Sequence, residues 1–194
     1  MKKLVFVCMA LAMFSVESMA QQGPGIGIRG GANFFNFGGA DASSNEYTNR
    51  AGFHAGLYST LFLGERLALE PGVFYSVKGT TNDDFANSRA VLNYVDVPVL
   101  LRLYLGEGFN IFGGPQASFL MSSQFEGDFF GSTFSYDTEA IRETDFGLVV
   151  GVGYNLPAGL NLQGSYDFGM TPVFKNSEAE IYNRGFKVSL GYTF

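Results

Sequence analysis

Eight ionisable side chains are this sequence's candidates for chemistry: Arg29, His54, Glu70, Lys78, Asp96, Arg102, Asp145 and Asp167. His54 is the only histidine, so any general-base or metal chemistry must run through it. Ser59 and Glu46 are near it in sequence, but no motif fixes either as a partner. A zinc site needs several nitrogen, sulfur or carboxylate ligands, and the carboxylates here are irregularly spaced. The glycines of "GPGIGIRGG" do not make a phosphate loop, because no strand precedes them and no helix follows. No residue is assigned a catalytic, metal or cofactor role, and the chain is not expected to be an enzyme. The charges instead share alternate positions with small residues. Such a row either lines a narrow conduit or forms a plug of ion pairs, and the plug fits better.

The elements that carry these charges are strands. Leu67, Leu69, Val73, Tyr75 and Val77 share one face, while Glu70, Gly72, Ser76 and Lys78 share the other. Val95, Val97, Val99, Leu101, Leu103 and Leu105 oppose Tyr94, Asp96, Arg102 and Tyr104. Phe146, Leu148, Val150, Val152 and Tyr154 oppose Asp145, Gly147, Gly151 and Gly153. A period of two residues is the mark of a strand, and glycine is too frequent for helices. About eight segments follow, at 25–36, 50–63, 66–79, 91–105, 109–123, 142–155, 160–170 and 182–194. Tight turns at 64–66, 106–108 and 157–159 alternate with long polar stretches at 37–49, 80–90, 124–141 and 171–181. The expected fold is all-β: a closed antiparallel up-and-down transmembrane β-barrel of about eight strands.

The alternation decides which face meets lipid. Rows of Leu, Phe and Tyr on every strand would overfill so narrow a lumen. A lipocalin-like soluble barrel is therefore disfavoured. Lipid takes the large apolar row, and the interior takes Gly, Ser and the charged residues, including Arg102 and the polar side of Leu100. Charged residues make up 15% of the chain, against about 25% in a soluble domain. Net charge is −6, which argues against nucleic acid as a partner.

The first residues, "MKKLVFVCMALAMFSVESMA", read as a cleaved secretory signal over 1–20. The barrel domain is then 21–194. Cys8 falls inside the signal, so the mature chain has no thiol chemistry. The chain ends "GFKVSLGYTF", with Tyr192 and Phe194 on one face. A terminal aromatic after alternating apolar residues is similar to the C-terminal assembly signal of outer-membrane barrels, read by the barrel-assembly machinery.

"LEPGVFYSVKG", "YVDVPVLLRLYL", "GGPQASFLM", "DFGLVVGVGYNL" and "GFKVSLGYTF" together resemble the PorT-like outer-membrane β-barrel family of Gram-negative bacteria. The resemblance implies an integral outer-membrane location after export to the periplasm. It implies contact with outer-membrane lipid and lipopolysaccharide, and raises an envelope or secretion partner. The founding member's role in secretion does not follow from a shared barrel. The expected function is a structural or interaction role through long extracellular loops, with a narrow porin-like channel or a lipid-modifying enzyme as alternatives. Asp83, Asp84, Glu126, Asp128, Asp137, Glu139, Glu178 and Glu180 make those loops acidic. They suit a solvated surface better than a Ca²⁺ bridge to lipopolysaccharide.

Overall fold

Alternation becomes nine strands in the computed structural model, which describes residues 25–42, 47–82, 88–106, 108–129, 132–137, 140–175 and 179–194. The expected signal segment lies outside the described residues. The strands are β1 (Gly25–Gly38), β2 (Tyr47–Phe62), β3 (Leu67–Asn82), β4 (Ser88–Tyr104), β5 (Phe109–Phe129), β6 (Ser132–Asp137), β7 (Thr144–Asn155), β8 (Leu160–Gly169) and β9 (Tyr182–Thr193). Eight of them, all but β6, pair antiparallel with their neighbours around a ring that closes between β1 and β9. The closing seam runs from Gly27 opposite Thr193 to Gly38 opposite Tyr182, and the Phe194 amide donates to the Ile26 carbonyl at 2.8 Å. No edge remains within the ring, so the backbone groups that face hydrocarbon are paired inside the protein.

Burial follows the sequence period. On β9, Asn183, Gly185, Lys187, Ser189 and Gly191 are buried, while Phe186, Val188, Leu190 and Tyr192 are exposed. The exposed large side chains, among them Ile28, Leu57, Leu101, Val152 and Leu162, form the outer face. In water such a surface would drive association; in a bilayer it is the solvated one.

Two stretches expected as loops are largely strand. In 80–90, pairing continues from Thr80–Ala90 to Asn82–Ser88. Thr80 and Thr81 are β-branched and suit the pleated wall. In 124–141, β5 extends to Phe129 and folds back on β6, from Gln124–Asp137 to Phe129–Ser132. The wall is therefore taller beside β4 and β5. A one-residue bulge at Met121 shifts the β4–β5 register between Asn93 and Tyr94. Past it the inward set on β5 becomes Ser123 and Phe125.

Gly31 shows why glycine is needed at the seam. A Cβ there would collide with the Val188 carbonyl oxygen and crowd Ser189. The close approach of β1 to β9 thus depends on a missing side chain.

Candidate functional site

The barrel interior is the candidate site, and its side chains form four levels. The lowest, near the end with the short turns, is built on Glu70 of β3. Arg29 of β1 reaches Glu70 Oε1 through Nη1 at 2.7 Å. Arg102 of β4 donates from Nη2 to Oε1 at 2.8 Å and from Nε to Oε2 at 3.1 Å. One carboxylate therefore holds two guanidinium groups, and all three side chains are almost fully buried. The planar guanidinium fork suits this shared geometry. Arg102 also donates to Asn110 Oδ1 and, at 3.1 Å, to Gln163 Oε1. Arg29 stacks over Tyr58 at 3.9 Å from the ring centroid, and Arg102 over Phe112 at 4.4 Å. Below them Tyr58 accepts from Asn161 at 2.8 Å and meets the Thr193 hydroxyl at 2.7 Å, closing the periplasmic end.

The second level is apolar. Leu100, Phe112 and Val149 form a buried cluster. The expectation that Leu100 points into polar surroundings is thus corrected. Its side chain does face the lumen, but it packs on apolar neighbours, because Gly151 leaves the space that the Phe112 ring fills.

His54 sits beside this level with both ring nitrogens engaged. Nδ1 lies 2.7 Å from Asn33 Oδ1, and Nε2 lies 2.8 Å from Ser189 Oγ. Asn33 Nδ2 donates to the Phe53 and Val77 carbonyls, which fixes its oxygen toward the histidine. Nδ1 must then carry a proton, and Nε2 accepts from Ser189. His54 positions its neighbours and offers no free nitrogen to a metal or substrate. Ser59 is buried but lies opposite Ile26 on the outer side of β2, so it is no partner for His54. Glu46 lies outside the described residues.

The third level joins four charges. Asp96 takes Lys78 at 2.8 Å and Lys187 at 3.2 Å; Lys187 continues to Asp167 at 2.7 Å. Lys78 also donates to Ser118 at 3.1 Å, and Gln116 to Asp167 at 3.1 Å. Both ammonium groups flank Phe35, at 5.4 and 5.6 Å from its centroid. Asp145 stands apart from this chain and accepts from Asn183 at 3.3 Å. The eight candidate residues therefore do not form one cluster. Arg29, Glu70 and Arg102 make one group, Lys78, Asp96 and Asp167 a second, and His54 and Asp145 lie beside them. Lys187, Asn33, Asn110 and Gln163 were missing from the candidate set. The alternation of Phe186, Lys187 and Val188 is the signal that turns Lys187 inward.

The fourth level caps the extracellular mouth. Phe37, Ala42, Ala90, Leu92, Tyr94, Ile141, Val173 and Ile181 are buried together, with Leu120, Phe125, Phe174 and Ala179 packed against them. The segments that bring them in are tied down. Ile141 bridges Phe174, Arg142 N donates to Val173 O at 2.8 Å, and Glu180 N donates to Asp41 Oδ2 at 2.7 Å. The apolar residues within the long stretches read as polar loops thus contribute to an apolar lid.

Among the described residues, two small cavities lie between the levels. The cavity beside Arg29, His54 and Phe112 gives water centres about 30 Å³, and the one beside Asp145, Asp167 and Asn183 about 10 Å³. The first has room for about two waters and the second for about one.

The family model for the outer membrane protein beta-barrel domain matches residues 19–175. The chain belongs to this family. It is an integral outer-membrane protein, and the lipid-facing row and closed ladder described above are the physical form of that membership. A search of curated protein sequences finds no match. Among solved structures, the chain is similar to Neisserial surface protein A, with a TM-score of 0.58 and 12% identity over 89% of this chain and all (100%) of that one. Ail, the attachment invasion locus protein of Yersinia pestis, gives 0.53 and 13% over 89% of this chain and 100% of its own. A major outer membrane protein of Thermus thermophilus gives 0.50 and 14%, again over 89% and 100%. Identities this low carry the barrel fold and nothing finer.

Proposed function

We propose that this outer-membrane barrel is a non-conducting anchor that presents an interaction surface outside the cell, with no catalytic turnover. The observation that carries this reading is the lumen filled at four levels, from Tyr58 and Thr193 at one end to the apolar lid at the other. An ion crossing it would have to part the Glu70 and Asp96 networks and then dehydrate against Leu92, Ile141 and Val173. Charges held in direct pairs also have little reason to release for a passing ion. The engagement of His54 at both nitrogens supports the absence of acid–base chemistry.

The surface left for partners is the extracellular rim, where loops on a rigid scaffold concentrate binding. Its acidic side chains favour a cationic partner, or lipopolysaccharide through its sugars. Ail has been crystallised with sucrose octasulfate, a heparin analogue; an acidic rim argues against polyanions of that kind here. The finer PorT-like assignment rests on the sequence motifs, and with it a link to secretion. Delivery would use the barrel-assembly machinery, with Tyr192 and Phe194 as the signal; their rings pack edge to face 5.2 Å apart on the lipid side.

Two measurements test the reading together. Single-channel recording of the purified barrel should show no steady conductance. Photo-cross-linkers placed at 37–49 and 124–141 in intact cells should capture a discrete partner. A stable open channel with no cross-link would replace the anchor with a pore.

A further inference from the structure

Three residues that line the cavity beneath the extracellular lid each carry a buried side-chain oxygen without a hydrogen-bond partner. Asp145 Oδ1, Asp167 Oδ1 and Asn183 Oδ1 are buried and have no hydrogen-bond partner. All three residues line the same cavity, on β7, β8 and β9. They are 7%, 4% and 2% exposed, so bulk water does not satisfy them. Asn183 cannot resolve this by turning its amide over. Its Nδ2 faces Asp145 Oδ2 at 3.3 Å and the Tyr94 hydroxyl at 3.4 Å. A flip would set an oxygen against the carboxylate.

Charge points the same way. Among the described residues, the ammonium groups paired with Asp96 and Asp167 in this half of the lumen are those of Lys78 and Lys187. Lys78 reaches the cavity wall, but its ammonium is held by Asp96 at 2.8 Å and Ser118. Lys187 is shared between Asp96 and Asp167. Three other cations near the mouth make contacts elsewhere: Arg142 with the Phe174 carbonyl, Lys175 with Glu143 at 3.2 Å, and Arg184 with the Tyr182 ring at 5.5 Å. The Arg29–Glu70–Arg102 group lies toward the end with the short turns. Arg29 lines the neighbouring cavity, which it shares with Asp167 and Lys187, and does not line this one.

We propose that this cavity binds one monovalent inorganic cation of sodium or potassium size, held by Asp145 Oδ1, Asp167 Oδ1 and Asn183 Oδ1. A single water donates only two hydrogen bonds, leaving one oxygen bare and the charge excess unmet. A calcium ion would overshoot the charge of Asp145, the one of these carboxylates without an ion pair among the described residues. About 10 Å³ open to water centres suits one occupant of water size. The lid lies directly above, since Tyr94 belongs both to it and to the Asn183 contact. The ion is therefore enclosed as the mouth folds and exchanges slowly.

Thallium(I), a potassium-sized cation with strong anomalous scattering, is the probe. Barrel purified folded from outer membranes is crystallised in a thallium salt, and separately in a choline salt. The expected result is an anomalous peak in contact with the three oxygens, lost when potassium is added in excess. In parallel, the unfolding temperature in detergent is measured in sodium, potassium and choline chloride at equal ionic strength. Sodium or potassium should raise it over choline, and Asp145→Asn should abolish the difference and weaken thallium binding about tenfold or more. Wild-type crystals without a thallium peak at the cavity overturn the proposal, whatever the variant does. So do equal unfolding temperatures in all three salts, which would leave a protonated Asp145 or a water as the occupant.

Discussion

Glu70→Gln is the sharpest perturbation of the lumen. Glutamine keeps the shape of glutamate but removes the charge that two guanidinium groups share at 2.7 and 2.8 Å. The local charge rises from +1 to +2 in a site where all three side chains are almost fully buried. Breaking a buried ion pair by removing one partner costs about 3–5 kcal/mol, and here one carboxylate serves two partners. A loss in the upper half of that range is expected. Equilibrium unfolding in urea, followed by the gel-mobility difference between folded and boiled barrel, measures it. Adding Arg102→Met returns the local charge to +1. It removes the contacts with Asn110 and Phe112 but should recover most of the loss. Should Glu70→Gln cost under about 1 kcal/mol, the network does not bear its charges in a low dielectric. Should the double variant be no better than the single one, the loss comes from packing rather than charge.

Leu101 is 47% exposed on the lipid face, and Leu101→Arg should cost about 2–4 kcal/mol in a bilayer. Leu100→Ser should cost a similar amount, about 2–5 kcal/mol, because it opens a gap between Phe112 and Val149; urea unfolding in lipid vesicles compares the two. Gly31→Val should block the seam between β1 and β9, giving protein that never acquires the faster mobility of the closed barrel on unboiled gels. Deleting Phe194 should leave export intact but reduce outer-membrane levels, with degradation or periplasmic accumulation seen by fractionation; wild-type levels would make it one apolar anchor among many.

The strand period was readable because a barrel wall has only two environments. Each residue meets either lipid or lumen, so a repeat of two residues records its side, as with Phe186, Lys187 and Val188. The same simplicity set the ring size, the short turns at one end and the inward direction of Glu70, Lys78, Asp96 and Arg102. It fails where the ladder is irregular. The bulge at Met121 exchanges the inward set on β5, and nothing in "FLMSSQF" announces a residue left out of the pairing.

Sequence alone therefore determined the membrane, the closed sheet and the face of nearly every strand residue. It could not say which charges meet, because height in a barrel depends on strand stagger around the whole ring. Arg29 and Glu70 are 41 residues apart, and Lys187 and Asp96 are 91 apart; only closure brings each pair level. Closure also decided that Leu100 faces Phe112 rather than a polar group, and that Phe37, Ile141 and Val173, drawn from three separate loop regions, seal the mouth together. A face is a local property of the chain, fixed by the pleat. A level is a property of the finished ring, fixed only when β9 has paired with β1.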